Sequence, residues 1–367
     1  MKVLWLANIP SPYRVKFFNE LGKHCELTVL FERKASLERN DSWKNYELKE
    51  FRAVFLRGKR IGVAEAFCPS IISYLKRDYD HIVVTTFSDL TGILAILYMK
   101  FYKIPYEIES DGAFPSNNKG IREKIKNGVK RFLLSGAKRY FSTAKLHDEY
   151  YKQYGAKEKL IIRYPFSSVY EKDVLEKVIS VKEKDRLRKE LKMNEKHIVL
   201  AVGQFIPRKG YDILLQAAAM LDKSYGIYVI GGIASEEYII QKNRLNLNNL
   251  YFLDFKQPDE LKKYYMAADV FVHPTREDIW GLVINEAMAL GLPVVTTNRC
   301  IAGLEMVKEK ENGFIIPAED KDALKTAICK SISTESYKNC ALTIAKKYTI
   351  EKMVYKHILV WKGMDDK

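Results

Sequence analysis

The sequence predicts an α/β protein made of two doubly wound, parallel-sheet domains. Three observations carry this expectation. Short continuous apolar runs alternate with helical patterns, the mark of strands covered on both faces. That series starts at the N-terminus and starts afresh near residue 197. At 367 residues the chain also has the length of two ordinary domains.

In the first series, VLWLAN (3–8) reads as a buried strand and VKFFNELGKH (15–24) as an amphipathic helix. LTVLFE (27–32), HIVVTTF (81–87), an apolar helix over 90–102 and YEIES (106–110) follow. The second series runs through HIVLAVGQF (197–205), IYVIGG (227–232), LYFLDF (250–255), VFVHP (270–274) and PVVTT (293–297). Residues 169–196 are dense in charge with little apolar periodicity and read as a linker. The expected division is therefore 1–168, linker 169–196, and 197–348.

Composition narrows the class. Hydrophobic residues make up 47% and charged residues 29%, ordinary for a soluble globular protein. The longest apolar runs, such as Thr91–Met99, are too short for a membrane span. The opening MKVLWLANIP runs into a Pro-Ser-Pro turn and reads as a first strand, not a signal segment. Five cysteines (Cys25, Cys68, Cys300, Cys329, Cys340) are scattered without metal spacing, which fits a reducing cytosol. Six histidines lack metal spacing too. Neither G-x-G-x-x-G nor G-x-x-x-x-G-K-[ST] occurs, which argues against dinucleotide oxidoreductases and P-loop ATPases.

The net charge of +15 is unevenly spread. Residues 1–200 hold 39 Lys and Arg against 25 Asp and Glu, leaving 22 against 21 for the remainder. Nearly all the excess lies in the first half. That asymmetry suits an anionic partner: nucleic acid, anionic lipid or a phosphorylated substrate.

The chemistry is written most clearly in HPTREDIWGLVINEAMALGLPVVTT (273–297). A strand ends at Pro274, a polar loop leads to Gly281, and a helical pattern follows until Gly291 and Pro293 stop it. The first backbone N–H groups of that helix lack partners within it, and its dipole is positive there. Gly281 lets a ligand approach the backbone closely, so the turn is a ready anion site. Asp278 and Glu286 flank it. Carboxylates repel phosphate but accept hydrogen bonds from hydroxyls. A phosphate between two sets of sugar hydroxyls describes a nucleotide-sugar. Taken alone, the same residues also read as a capping acid and a solvated helical glutamate.

This segment resembles the E-x7-E signature of family 4 retaining glycosyltransferases, with Asp278 in place of the first Glu and Glu286 as the second. VGQFIPRKGYDILLQAA (202–218), NLYFLDFKQPDELKKYYMAADVFVHPT (249–275) and NIPSPYRVKFFNEL (8–21) are similar to family segments as well. The resemblance implies the GT-B fold, two Rossmann-like domains facing across a cleft. It implies that Gly203, Arg208, Lys209, Asp278, Trp280, Gly281, Leu282, Val283 and Glu286 hold the donor. UDP is the nucleotide it favours. Gln204 departs from the pattern, since many relatives carry a further basic residue there.

Residue chemistry agrees at Arg208 and Lys209. A guanidinium forks onto phosphate oxygens, and an ammonium adds a point charge. Cations fixed beside the departing diphosphate stabilise the transition state more than the ground state. The resemblance places the loop Ile9–Arg14 over the acceptor, which makes Ser11, Tyr13 and Arg14 acceptor-binding candidates, with Pro10 and Pro12 equally readable as a rigid turn. Asp111, before Gly112 at the end of a strand, stands where many relatives carry an active-site His. It is taken as catalytic together with Arg208, Lys209 and Asp278. The alternative for Asp111 is a turn-forming Asp-Gly. Asp78-Tyr79-Asp80 mimics a metal motif of another glycosyltransferase fold but reads as a turn. His147 and His273 read as structural, although His273 borders the donor loop.

KGIREKIKNGVKRFLLSGAKRYFSTAK (119–145) holds nine Lys and Arg and one acid, Glu123. Its apolar residues recur every three to four positions, so it reads as one or two amphipathic basic helices, suited to an anionic membrane or to a solvated surface. Residues 349–361 resemble the family's C-terminal helix that crosses back to the first domain, which assigns 349–367 to that domain.

The expectation is a metal-independent, retaining hexosyltransferase without cofactor, moving sugar from a nucleotide-sugar to a glycan or lipid-linked acceptor in cell-surface polysaccharide synthesis. Its place would be the cytoplasm, peripheral on the inner membrane face, with no nucleic-acid partner. The alternatives are a nucleotide-sugar epimerase or hydrolase on the same fold and, motivated by charge alone, a nucleic-acid-binding protein.

Overall fold

The computed structural model describes residues 1–34, 47–61, 65–116 and 120–364. The chain forms two compact units. The first comprises Met1–Ser168 and the stretch from Thr349 onward, and the second comprises Val169–Tyr348.

The first unit is built on a seven-stranded parallel sheet. Its strands are β1 (Lys2–Ala7), β2 (Glu26–Phe31), β3 (Arg52–Phe55), β4 (His81–Val84), β5 (Glu107–Glu109), β6 (Arg139–Ser142) and β7 (Ile161–Arg163), in the order β3-β2-β1-β4-β5-β6-β7. The order reverses direction beside β1, as in doubly wound folds, so the loops after β1 and β4 diverge and open a crevice at the carboxyl edge. Alternation along the strands sorts the core. Leu4, Leu6, Ile82, Val84, Ile108 and Tyr140 pack on one face with Ile96 and Met99 of the helix Leu90–Phe101. Trp5 faces the other way and meets the rings of Phe17, Phe18, His357 and Trp361. His357 and Trp361 belong to the helix Ile350–Trp361, whose Trp361 Nε1 donates to Glu107 Oε2 at 2.7 Å.

The second unit is a six-stranded parallel sheet. Its strands are β8 (His197–Val202), β9 (Tyr225–Ile230), β10 (Leu250–Leu253), β11 (Val270–His273), β12 (Val294–Thr297) and β13 (Gly313–Ile316), in the order β10-β9-β8-β11-β12-β13. The switch point again lies between the first strand, β8, and the fourth, β11. Its core gathers Val199, Ala201, Leu214, Val229, Val270, Val272, Val295, Leu324 and Ile328. The stretch read as a linker contains the helix Val181–Glu190, where Lys184 and Arg188 both reach Asp269 at 2.6 Å.

One expectation needs correction. Segment 119–145 is not wholly basic helix: the helix Ile121–Leu134 ends and Arg139–Ser142 is strand β6. Gly136 at φ +86° turns the chain, and Tyr140 and Phe141 are fully buried. The apolar period of three to four hid a short strand behind the turn. Lys119 lies outside the described residues. Asp78 and Tyr79 lie in irregular chain just before β4, and Asp80 Oδ2 accepts the Lys2 N–H at 2.7 Å.

Candidate active site

In the second unit, the loops leaving β8 and β11 meet. After β8 the chain passes Gly203, makes a short 3-10 turn at Pro207–Lys209, and enters the helix Tyr211–Ala218 through Gly210 at φ +68°. A Cβ on Gly210 would stand 2.0 Å from the Pro274 carbonyl oxygen, so only glycine lets the two loops close on each other. Thr275 Oγ1 and the Arg276 N–H both donate to the Arg208 carbonyl, at 3.0 and 2.8 Å. Arg276 then forks onto Asp212 at 2.8 and 2.7 Å. The position of the Arg208–Lys209 turn is thereby fixed from the neighbouring loop.

The charged side chains converge on Asp278. Lys209 Nζ donates to Asp278 Oδ2 at 2.6 Å, and His273 Nε2 meets the same oxygen at 2.9 Å. Arg208 stands 3.6 Å from the other carboxylate oxygen and donates to the Glu277 carbonyl at 2.6 Å. Burial alone would raise the pKa of Asp278, but the His273 hydrogen bond and the Lys209 charge outweigh it and hold the carboxyl far below the usual range. Burial, reinforced by Lys209, lowers the pKa of His273 and keeps it neutral. Nε2–H therefore donates to Asp278, and the buried Nδ1 is left without a partner.

The helix Leu282–Ala289 opens at Gly281, φ +103°, with no side-chain cap. A Cβ there would meet the Cys300 sulfur at 2.7 Å. Leu282 and Val283, half-buried, form the first turn and present the N–H groups that a helix leaves unpaired. Glu286 stands one turn in, and the buried Tyr265 hydroxyl donates to its Oε2 at 3.1 Å. Trp280 is turned into the core, where Nε1 donates to Asn285 at 2.8 Å, so near the turn it offers backbone and not indole. Gln204 is exposed on the first loop.

In the first unit, the loop after β1 and the end of β5 come together around Arg14. Nη1 of this buried guanidinium donates to both Glu109 oxygens, at 2.8 and 2.9 Å, and Nη2 donates to Asp111 Oδ1. The Tyr13 hydroxyl donates to Asp111 Oδ2, and the Tyr164 hydroxyl donates to Glu109. Burial, then the Asp111 charge, raises the pKa of Tyr13 and keeps it protonated as a donor. Of the two acids only Asp111 reaches solvent, with its side chain 29% exposed against 0% for Glu109. Ser11 is buried at the start of the helix Pro12–Gly22. Next to Glu109 along the chain, the Ser110 hydroxyl bonds His147 Nε2 at 2.9 Å, and burial pushes His147 down to about 3.

Glu109, Tyr164, Tyr265 and His273 are thus further members of these clusters. A signal for Glu109 was present: the short strand Glu107–Glu109 carries two acids around one isoleucine, and an acid buried in a sheet demands a cation. Tyr164 and Tyr265 carry no local mark, since only the tertiary fold brings their hydroxyls to an acid. Among the described residues, no three His, Cys, Asp or Glu side chains gather as a metal-binding set.

Residues 183–347 match the family model described as glycosyl transferases group 1. The chain is 26% identical over 332 residues to an uncharacterized glycosyltransferase of Methanocaldococcus jannaschii, covering 84% of this chain and 92% of that one. It is 28% identical over 177 residues to the capsular polysaccharide biosynthesis glycosyltransferase CapM of Staphylococcus aureus, covering 47% of this chain and 46% of that one. The structure superposes on Anabaena HepE, solved in complex with UDP, with a TM-score of 0.81 at 18% identity, covering 99% and 100% of the two chains. This chain is a glycosyltransferase with the GT-B fold. Sucrose-phosphate synthase of Thermosynechococcus elongatus shares the fold with a TM-score of 0.77 at 18% identity, each chain 99% covered.

Proposed function

We propose that this glycosyltransferase moves a hexosyl group from a UDP-sugar to a hydroxyl of a glycan or lipid-linked acceptor, with retention, in the synthesis of a cell-surface polysaccharide. The observation that carries the reading is the meeting of Arg208, Lys209 and His273 on Asp278, beside the uncapped helix that opens at Gly281. An anion at that helix terminus finds unpaired N–H groups and two cations within one short loop. Glu286, one turn in, is placed to accept from the ribose hydroxyls. HepE, similar in fold, was solved with UDP, and the relative CapM is named for capsular polysaccharide biosynthesis; both lend support. Asp278 and Glu286 are read as the two acids of the E-x7-E pattern of family 4.

In this mechanism the acceptor hydroxyl attacks the anomeric carbon from the face that the diphosphate leaves. The bond from anomeric carbon to phosphate oxygen breaks as the new glycosidic bond forms. A departing phosphate oxygen takes the hydroxyl proton. Arg208 and Lys209 meet the charge gathering on the leaving diphosphate, the task a metal ion performs in other transferases, so the reaction is proposed to need neither metal nor cofactor. The first unit is read as the acceptor side. Asp111, held by Arg14 and Tyr13, keeps lone pairs for an acceptor hydroxyl. The excess positive charge of segment 119–145 is read as facing an anionic membrane on the cytoplasmic side. No helix among the described residues is long and apolar enough to cross a membrane.

Incubation with UDP-sugars in the presence and absence of acceptor glycans tests the reading. Transfer should give UDP and a product whose NMR anomeric couplings match those of the donor. An inverted product would overturn retention. UDP release that is indifferent to acceptors would indicate hydrolysis, and interconversion of the donor sugar would indicate an epimerase.

A further inference from the structure

The helix Ile121–Leu134 is amphipathic the wrong way round for a helix that covers a sheet. Ile125, Val129 and Phe132, spaced four and three apart, form one stripe, and they are 66%, 51% and 57% exposed. The inward side is the more polar one. Lys130 lies over the rings of Tyr150 and Tyr154 at 5.3 and 5.2 Å, and the Tyr154 hydroxyl bonds Asn127 at 2.9 Å. Among the described side chains of this helix, Leu133 and Leu134, at the far end, are the ones that enter the core.

The neighbouring helix Leu90–Phe101 also exposes large apolar side chains. Thr91, Gly92, Ala95, Ile96 and Met99 face the sheet, while Leu90, Leu97 and Phe101 are exposed, Phe101 by 78%. Tyr102 follows, also exposed. Lys100 links the two rows, its Nζ lying 5.0 Å from the Phe132 ring and bonding the Ser135 carbonyl. Exposed Arg122, Lys124, Lys126 and Arg131 border the stripe of the first helix, and exposed Lys103 and Lys138 lie beyond the helix ends. Glu123 is the single acid between residues 120 and 138. A soluble surface seldom leaves so many large apolar side chains in adjoining rows, and a rim of one charge sign selects the partner.

We infer that these two helices form one docking face for an anionic lipid bilayer, with Leu97, Phe101, Ile125, Val129 and Phe132 entering the headgroup–acyl boundary and the surrounding Lys and Arg meeting lipid phosphates. The inference deepens the reading of segment 119–145 as membrane-facing and is independent of the donor site. It adds the Leu90–Phe101 helix, and it makes insertion as well as charge part of the binding.

Vesicle sedimentation tests this with three proteins: wild type, the apolar variant Phe101→Ser/Ile125→Ser/Phe132→Ser, and the charge variant Arg122→Glu/Lys124→Glu/Lys126→Glu. Lys130 is left alone because it packs on tyrosines. Wild type should pellet with phosphatidylcholine vesicles containing phosphatidylglycerol and not with phosphatidylcholine alone. Each variant should bind the anionic vesicles about tenfold or more weakly. Far-UV circular dichroism and the melting temperature should be the same for all three, which shows that the fold survives, and UDP titration should be unchanged. Wild type remaining in the supernatant at low salt overturns the inference, as does equal binding to neutral vesicles. An apolar variant that binds like wild type refutes insertion. Light scattering that shows a wild-type dimer, and a monomer for the apolar variant, would assign the face to a second copy instead. A protein that binds vesicles and not UDP would sink the donor reading and leave this one standing.

Discussion

Lys209 and Asp278 form a 2.6 Å ion pair in which both side chains are nearly withdrawn from water, 13% and 12% exposed. The partners sit 69 residues apart, on the loops that leave the two strands at the switch point. Beyond the hydroxyl contact proposed for it, Asp278 holds the cation that is proposed to meet the diphosphate.

Removing that acid should therefore expose a cation to an unfavourable setting. Asp278→Asn keeps the shape and loses the charge, leaving Lys209 half-dry without its counter-ion. Breaking a buried pair costs about 3–5 kcal/mol, and residual solvation here puts the effect at the lower end. The variant should melt several degrees below wild type, and saturating UDP should raise its melting temperature by more than it raises that of wild type. Differential scanning fluorimetry with and without UDP reads both. Equal UDP shifts would mean that the diphosphate does not meet Lys209.

Arg208 is more exposed and should matter for rate more than for stability. A catalytic electrostatic donor contributes ~3 kcal/mol, so Arg208→Ala should lower turnover ~100-fold or more at an unchanged melting temperature. A variant with normal turnover would remove Arg208 from the leaving-group site.

At the other cluster, Glu109 fixes Arg14, and Arg14 fixes Asp111. Glu109→Gln should raise the acceptor KM and lower kcat/KM for acceptor by about 10–100-fold, the loss of one to two charge-assisted hydrogen bonds. UDP affinity, which belongs to the other unit, should not move. Steady-state kinetics with the acceptor varied, beside UDP titration, separates the two. A fall in UDP affinity of equal size would mean general unfolding and not lost positioning.

His357 gives a pH dependence with a definite sign. Burial pushes it down to about 4, against an ordinary value of about 6.5 in the unfolded chain. Between these values the unfolded state binds a proton that the native state does not, so wild type loses about 1.4 kcal/mol per pH unit from this group as pH falls. His357→Asn lacks that loss. Its stability deficit relative to wild type should shrink by this slope from about pH 6.5 to 4. Urea unfolding at several pH values measures it, and a deficit independent of pH would show that His357 is not neutral in the core.

Much of this was legible in the residues. The strands His197–Val202 and Val270–His273 announced themselves as unbroken apolar runs, and the loops after them carried the basic pair and the acid whose meeting makes the proposed donor cluster. Gly210 and Gly281 marked the turns because each needs positive φ. Short edge or polar strands escaped. Arg52–Phe55, Ile161–Arg163 and Arg139–Ser142 have three or four residues each, too few for a period of two to stand out against flanking charge. The basic helix was visible, but which way its apolar stripe points depends on what packs beneath it. Here Tyr150 and Tyr154 take the Lys130 ammonium over their rings, and that contact is tertiary.

A UDP-sugar is proposed to bind at the helix opening at Gly281, with Glu286 on the ribose. Isothermal titration of UDP into wild type and Glu286→Ala tests it most directly. A charge-assisted hydrogen bond contributes ~1.5–3 kcal/mol, so the variant should bind UDP ~10–150-fold more weakly than wild type, with the fold intact. Equal affinity in the two proteins, or a wild type that takes up no UDP, would contradict it.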